Sequence, residues 1–214
     1  MAKSKAHIRY RLKDKTIVPG VTTVLNLRAK PQLIPWANKL GLQGIDSSKY
    51  VDDKAAIGTL AHAMITDNLT GEKTDVMDYS PNQIDKAENS VLSFWEWEKD
   101  HKIEEVFFVE RPLVSEQHRF GGTLDIYAKV NGWREIIDLK TGSGIWPEHV
   151  WQVATLKVLL EENGFPVDRT RIVNIPRAET EAFWEKTISD AENETGWAIF
   201  QHLLAVYYLE KNGR

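Results

Sequence analysis

The sequence predicts an α/β or α+β protein with one central mixed β-sheet flanked by helices, preceded by N-terminal helical elements. Helical patterns come first, followed by three strand-like runs, a helix, two more strands and a last helix. The chain has 214 residues, of which 42% are hydrophobic and 27% charged, so an ordinary globular core is possible. We expect a single domain over 1–214, with a basic arm and short helix at 1–45 and the core at 46–214.

Composition narrows the class of protein. No apolar run approaches the ~20 residues needed to span a bilayer, and the basic N-terminus lacks the apolar segment of a secretory signal. The chain has no cysteine, which excludes disulfides, cysteine-ligated zinc, an all-cysteine iron–sulfur cluster and a cysteine nucleophile. We therefore expect a cytoplasmic location.

The charge is distributed unevenly. The net charge of −4 argues mildly against a general nucleic-acid binder. Residues 1–40, however, hold nine Lys or Arg and one acid, Asp14, so this segment carries +8 and the remainder −12. A basic arm beside an acidic centre suits a polyanionic substrate. Solubilisation of an exposed strand explains the first six basic residues equally well: Lys3, Lys5, Arg9, Arg11, Lys13 and Lys15.

Three helical or turn patterns precede the strands. Residues 21–25 fit a short strand or a turn into a helix, and 31–40 have helical spacing that Gly41 would end. A longer helix capped by Ser47 or Ser48 should reach about residue 69. Gly58 and His62 share a face of that helix, and a glycine there costs about 1 kcal/mol relative to Ala, which indicates a close approach. Judged alone, His62 is better explained as a partly buried histidine of this helix.

The next helix and strand have clear signals. Ser-Pro-Asn-Gln at 80–83 begins a helix that should run to about His101. Residues 103–110 then read as a strand whose end, marked by Pro112, lies at an edge or turn. Glu110 continues an apolar face, so it is either aimed into a site or a solvated strand end.

A hairpin organises the middle of the chain. Asn131-Gly132 between two apolar runs is the strongest signal for a two-residue type I′ turn. Counting back from it places Asp125 opposite Asp138 and Thr123 opposite Lys140 on one face. Two carboxylates roughly 5 Å apart at Cβ destabilise a sheet unless a cation lies between them, and Mg²⁺ or Mn²⁺ prefers such ligands. A solvated face with Lys140 paired to one aspartate is the alternative, but the coincidence favours a metal site.

The glycine pair 121–122 before the hairpin marks a bulge or a close backbone approach. After it, 141–144 is a flexible turn, and Pro147 opens a helix to about Asn163. Gln152 lies in the first turns of that helix, where it could point back to the preceding strand or remain a surface residue. The remaining elements are two strands and a helix, at 171–175, 182–188 and 190–211.

With these residues in hand, the chain resembles the PD-(D/E)XK nuclease superfamily, specifically its RecB-like exonuclease branch. Asp125 followed by 137–140 matches the D…(D/E)-x-K element of a β-hairpin, and 58–62 matches the upstream G-x-x-x-H motif. Gln152 matches the glutamine of the Q-x-x-x-Y helix, although Leu156 stands where the family usually has tyrosine. The matched region is about 57–160, and the start of the chain also resembles small phage-encoded members.

The resemblance implies a restriction-endonuclease-like core and a metal-dependent deoxyribonuclease. Its implied metal ligands for Mg²⁺ or Mn²⁺ are Asp125, Asp138, His62 and the Leu139 carbonyl. The metal would lower the pKa of a bound water and stabilise charge on the scissile phosphate. Two further residues would take part in catalysis beside the metal. Lys140 would orient or help deprotonate the water or hold the phosphate, and Glu110 is a candidate further carboxylate.

Gln152 and Thr141 are the expected substrate-binding residues, and DNA is the expected partner. The leading expectation is an exonuclease with little sequence preference. A structure-specific endonuclease and a catalytically silent nucleic-acid or partner-binding module on the same scaffold are the alternatives. A recombination or replication protein could be a further partner, and a phage-encoded chain would act in the host cytoplasm.

Overall fold

A computed structural model describes residues 8–213, which form one five-stranded sheet with helices on both faces. The strands are β1 Ile103–Ser115, β2 Phe120–Val130, β3 Trp133–Lys140, β4 Arg169–Asn174 and β5 Trp184–Thr187, in the spatial order β1-β2-β3-β4-β5. The helices are α1 Val21–Leu25, α2 Leu33–Leu42, α3 Ser47–Thr70, α4 Pro81–Asp100, α5 Pro147–Glu162 and α6 Asp190–Asn212. The predicted mixed α/β architecture is confirmed. No helix in the described part of the chain is long and apolar enough to cross a membrane.

The sheet is mixed because α5 connects β3 to β4 in a parallel crossover, whereas the other neighbours are antiparallel. The β2–β3 turn has positive φ at Asn131 (47°) and Gly132 (86°), as a type I′ turn requires. The ladder runs in the predicted register from Val130–Trp133 to Ile126–Ile137. The position of the turn therefore determines which side chains of β2 and β3 meet.

Two apolar layers cover the sheet. One lies under α1, α5 and α6 and includes Phe120, Ile136, Leu156 and Phe200. The other lies under α3 and α4 and includes Ile65, Phe94, Ile137 and Leu139. Because Ile136 and Ile137 are adjacent but belong to opposite layers, β3 is buried on both faces, as expected for a strand with a parallel neighbour.

The last two strands, at each end, and the start of α2 differ from the sequence prediction by one or two residues, and three further boundaries differ in kind. Strand β1 continues through Pro112 to Ser115, because β1 is an edge strand and needs no N–H from Pro112 on its open side. Helix α2 continues past Gly41 to Leu42. Helix α3 is capped by Asp46, whose carboxylate accepts from the N–H groups of Ser48 and Lys49, and a serine is not its cap.

The described part of the basic arm packs against β2. Gly121 N–H donates to the Pro19 carbonyl at 2.9 Å, and a Cβ on Gly121 would lie 2.2 Å from the Tyr10 ring. A Cβ on Gly122 would lie 2.7 Å from Leu156. The β1–β2 register is regular at both glycines, so of the two predicted readings close approach is correct. Lys3 and Lys5 lie outside the described residues.

Candidate metal and catalytic site

At Asp125 the alternation of side chains along β2 between the two apolar layers is interrupted. Leu124 packs in the layer under α5, whereas Ile126, two residues later, packs in the layer under α3 and α4. In a regular strand residues two apart share a face, so the strand turns about Asp125. On the neighbouring strand Glu110 has a left-handed φ of 46°, the only non-glycine of described β1 with that backbone conformation. These two irregularities bring both carboxylates towards α3.

His62 completes a cluster with these acids. Its Nδ1 atom is 3.7 Å from Asp125 Oδ1, and one ligand atom each of His62, Glu110 and Asp125 lie within 4.8 Å of one another. One turn earlier on α3, a Cβ on Gly58 would be 2.8 Å from Thr141 Oγ1. The absence of a side chain at Gly58 thus allows the end of β3 to lie against α3, which confirms the predicted close approach.

Asp138 lies on the same hairpin and is 1% exposed. Gln152 Nε2 donates to its Oδ1 at 3.2 Å, so Gln152 points back from α5 to the strand. Lys140 Nζ is 2.5 Å from its Oδ2, but this buried oxygen has no hydrogen bond of good geometry from the described residues. A buried carboxylate oxygen without such a bond retains capacity for a ligand.

Asp125 and Asp138 are neighbours without forming a regular ladder pair. The β2–β3 ladder ends at Ile126–Ile137, and beyond it Asp125 Oδ2 accepts the Leu139 N–H at 2.8 Å. This side-chain bond orients the Asp125 carboxylate and joins the two strands where the backbones diverge. Leu139 therefore takes part through its N–H, and its carbonyl remains a predicted ligand.

The electrostatics of the site follow from burial and close charges. Burial lowers the pKa of His62, but the Asp125 carboxylate outweighs it and the pKa is raised. Burial raises the pKa of Asp125, yet His62, Lys140 and the Leu139 N–H together leave it lowered. For Asp138, burial raises the pKa, Lys140 opposes the rise and Asp125 adds to it, so the value is about 6. Of the two aspartates, Asp138 is therefore the one whose ionised form the protein alone stabilises less.

These residues fit a divalent cation. The cluster offers one imidazole nitrogen and two carboxylates, and the adjacent Asp138 Oδ2 is buried beside the Lys140 ammonium, with no hydrogen bond of good geometry from the described residues. Carboxylate oxygens suit Mg²⁺ and Mn²⁺, and an imidazole nitrogen favours Mn²⁺ of the two. A cation here would also relieve the repulsion between Asp125 and Asp138.

The structure brings together residues from three predicted motifs: His62 from the helix, Asp125, Asp138 and Lys140 from the hairpin, and Gln152 from α5. Glu110 also joins them, and Thr141 lies half-buried beside Gly58. Leu156 is 1% exposed and packs in the core, so this position is not available to a substrate.

Sequence reasoning missed Tyr10. Its hydroxyl is 2.9 Å from Thr123 Oγ1, and burial raises its pKa, with the charge of Glu110 adding to the rise. The contact spans 113 residues. The sequence hints at this contact only through Gly20 and Gly121, where the Cβ atom of any other residue would overlap the Tyr10 ring.

No protein-family model matches the chain, and no curated protein matches it. Among solved structures, a candidate exonuclease from Eubacterium rectale superposes with a TM-score of 0.53 and 12% identity, over 73% of this chain and 68% of that one. LHK-Exo, solved in complex with dAMP, covers 75% of this chain and 90% of its own at 14% identity, with a TM-score of 0.35. The first likeness shows a shared fold, and the second is too low to add to it.

Proposed function

We propose that this protein is a divalent-metal-dependent deoxyribonuclease of the PD-(D/E)XK type. The observation that carries the proposal is the convergence of His62, Glu110 and Asp125 within 4.8 Å, beside the buried Asp138–Lys140 pair. The fold shared with a candidate exonuclease supports the same class. An exonuclease with little sequence preference is the form of activity that we favour.

His62, Glu110, Asp125 and Asp138 would hold Mg²⁺ or Mn²⁺, with the Leu139 carbonyl as a further ligand. When bound, the ion would supply a more acidic water and positive charge at the scissile phosphate. The protein itself prepares the ligands: the Leu139 N–H orients Asp125, and Gln152 and Lys140 orient Asp138. Such outer contacts keep ligand oxygens aimed at one point.

Lys140 acts on the reacting groups. In phosphodiester hydrolysis a water gives up a proton as its oxygen bonds to phosphorus, the bond to one sugar oxygen breaks, and that leaving oxygen takes up a proton. The Lys140 ammonium, anchored by Asp138, would donate a hydrogen bond that orients the attacking water and would oppose the negative charge on the phosphate. Gln152 is bonded to Asp138 and Thr141 lies beside Gly58, and the polar groups of both would contact the DNA backbone.

The test is cleavage of end-labelled linear DNA in Mg²⁺ or Mn²⁺ by the wild type and by Asp138→Asn. We expect the variant to lose at least about 100-fold in rate, the lower end of what one positioned acid–base or charge-stabilising group contributes. Asp168→Asn is the matched control. Asp168 pairs with Arg134 at the start of β3, at the opposite end from Lys140, so this control should cleave normally.

Undiminished cleavage by Asp138→Asn, or no cleavage by the wild type in either metal, would contradict the proposal. Closed circular DNA separates the forms of activity, since an enzyme that requires ends leaves it intact. Cleavage of the circle would favour the endonuclease alternative.

A further inference from the structure

A cavity of about 590 Å³ lies beside the candidate site, between α1, α2 and the start of α5. Gln152 is part of its wall and also donates to Asp138. The cavity is therefore adjacent to the site, with the Gln152 side chain between it and a proposed metal ligand. Its volume lies in the range of pockets that enclose small organic ligands.

Aromatic and aliphatic side chains form much of the wall. Trp146, the residue before α5, lines the cavity although it is 55% exposed, and Trp36 of α2 lines it from another element. Leu25 and Leu33 add apolar surface. Trp36 is half-buried with its ring against Tyr50, whereas the Trp146 indole is open to solvent. An open aromatic ring of this kind is a platform on which unpaired nucleobases stack.

The polar groups of the wall suit the rest of a nucleotide. Lys30 provides a cation for a phosphate. His149 Nδ1 accepts the Trp146 N–H at 3.2 Å, which leaves Nε2 as the ring's donor. Glu148 supplies an acceptor for the amino groups of a base, and Asn26, whose Oδ1 accepts from Lys30 Nζ at 3.5 Å, adds an amide donor. Aromatic walls, a cation and mixed donors and acceptors match a nucleotide better than a purely apolar ligand.

We infer that this cavity receives an unpaired nucleotide next to the scissile phosphate, so that the substrate is single-stranded or frayed DNA. The inference rests on the proposed function for the position of that phosphate. A base within a duplex is stacked on both faces and paired along one edge, so it has no free face with which to stack on an indole ring. Stacking is indifferent to base identity, which agrees with little sequence preference.

Binding without cleavage tests the inference. A fluorescein-labelled oligodeoxythymidine and an otherwise identical strand with abasic sites are titrated with the full chain in EDTA and followed by anisotropy. We expect Trp146→Ala to weaken binding of the base-bearing strand about five- to 150-fold, the value of one stacked base. Trp146→Phe should recover most of this loss, and Trp36→Ala should also weaken binding.

The abasic strand provides the decisive comparison. If Trp146 contacts a base, the wild type binds the abasic strand weakly and Trp146→Ala weakens it no further. Trp133→Ala is the matched control, since Trp133 is 49% exposed at the far end of β3. Equal losses on both strands, or no loss on either, would overturn the inference.

Cleavage is scored separately. A wild type that cleaves DNA while the Trp146 and Trp36 variants bind and cleave normally would retain the proposed function and reject the cavity. If the wild type cleaves nothing but the Trp146 and Trp36 variants lose base-dependent binding, the proposed function is rejected and the cavity is retained as a nucleotide site.

Discussion

Two groups of buried charges lie on the central strands, and they differ in how their charges are balanced. In one, which we call the arginine cluster, Arg171 of β4 donates to Glu135 at 2.5 Å and to Glu185 at 2.9 Å. Trp97 also donates to Glu185 at 2.6 Å. The Arg171 guanidinium thus joins three neighbouring strands directly. The two acids that it joins already have a cationic partner and need no added ion.

The candidate site has a larger excess of acids than the arginine cluster, in which two acids share Arg171 with His101 beside them. Glu110, Asp125 and Asp138 face one lysine and one histidine, and a lysine is a point charge that cannot bridge several acids in a plane. An unbonded oxygen alone does not separate the two groups, because Glu135 Oε2 also lacks a hydrogen bond. The separation comes from the excess of acids at a point where α3, the hairpin and α5 converge beside a cavity.

The largest expected effect concerns stability. Arg171→Ala leaves Glu135 buried without its cation, and breaking such a buried pair typically costs about 3–5 kcal/mol. Asp125→Asn keeps the shape, and the attraction to His62 and Lys140 that it loses is offset in part by removal of the repulsion with Asp138, so its free energy of unfolding should change by about 1 kcal/mol. Urea unfolding of both variants measures the contrast. If Asp125→Asn lost more free energy of unfolding than Arg171→Ala, the charges of the candidate site would stabilise the fold, as those of the arginine cluster do.

A smaller effect is the pH dependence of Mn²⁺ binding. His62, with its pKa raised above 6.5, and Asp138, with a pKa of about 6, must both lose a proton before they bind a cation. The affinity for Mn²⁺ should therefore fall as the pH drops from about 8 to 5. Where binding releases about two protons, the affinity changes by about 100-fold per pH unit. His62→Asn should bind more weakly and show a one-proton slope. A flat profile in the wild type would remove both residues from the site.

Much of this structure follows from local sequence signals. The Asn131-Gly132 turn determines the hairpin register, and the Ser80 capping box begins α4 where predicted. Local signals suffice for these elements, since the elements are long and each signal is strong. The convergence of His62 and Gln152 on the two aspartates is expected only from the resemblance to the nuclease superfamily, because each of the two alone reads as an ordinary helix residue.

The rest depends on tertiary contacts that no short pattern encodes. Glu110 turns towards His62 through a left-handed backbone conformation at an irregular edge strand, where alternation fails as a guide. Tyr10 reaches β2 across 113 residues. The cavity beside Gln152 needs Trp36 and Trp146 from separate elements, and neither tryptophan carries a motif.

The most direct test of the central claim is a calorimetric titration with Mn²⁺ at pH 8 of the wild type, Asp125→Asn and Asp168→Asn. The account predicts one saturable site in the wild type and in Asp168→Asn. In Asp125→Asn the affinity should fall by more than the roughly 10- to 100-fold that loss of an outer contact costs. Equal affinity in Asp125→Asn, or no binding by the wild type, would contradict the assignment of His62, Glu110 and Asp125 as a metal site.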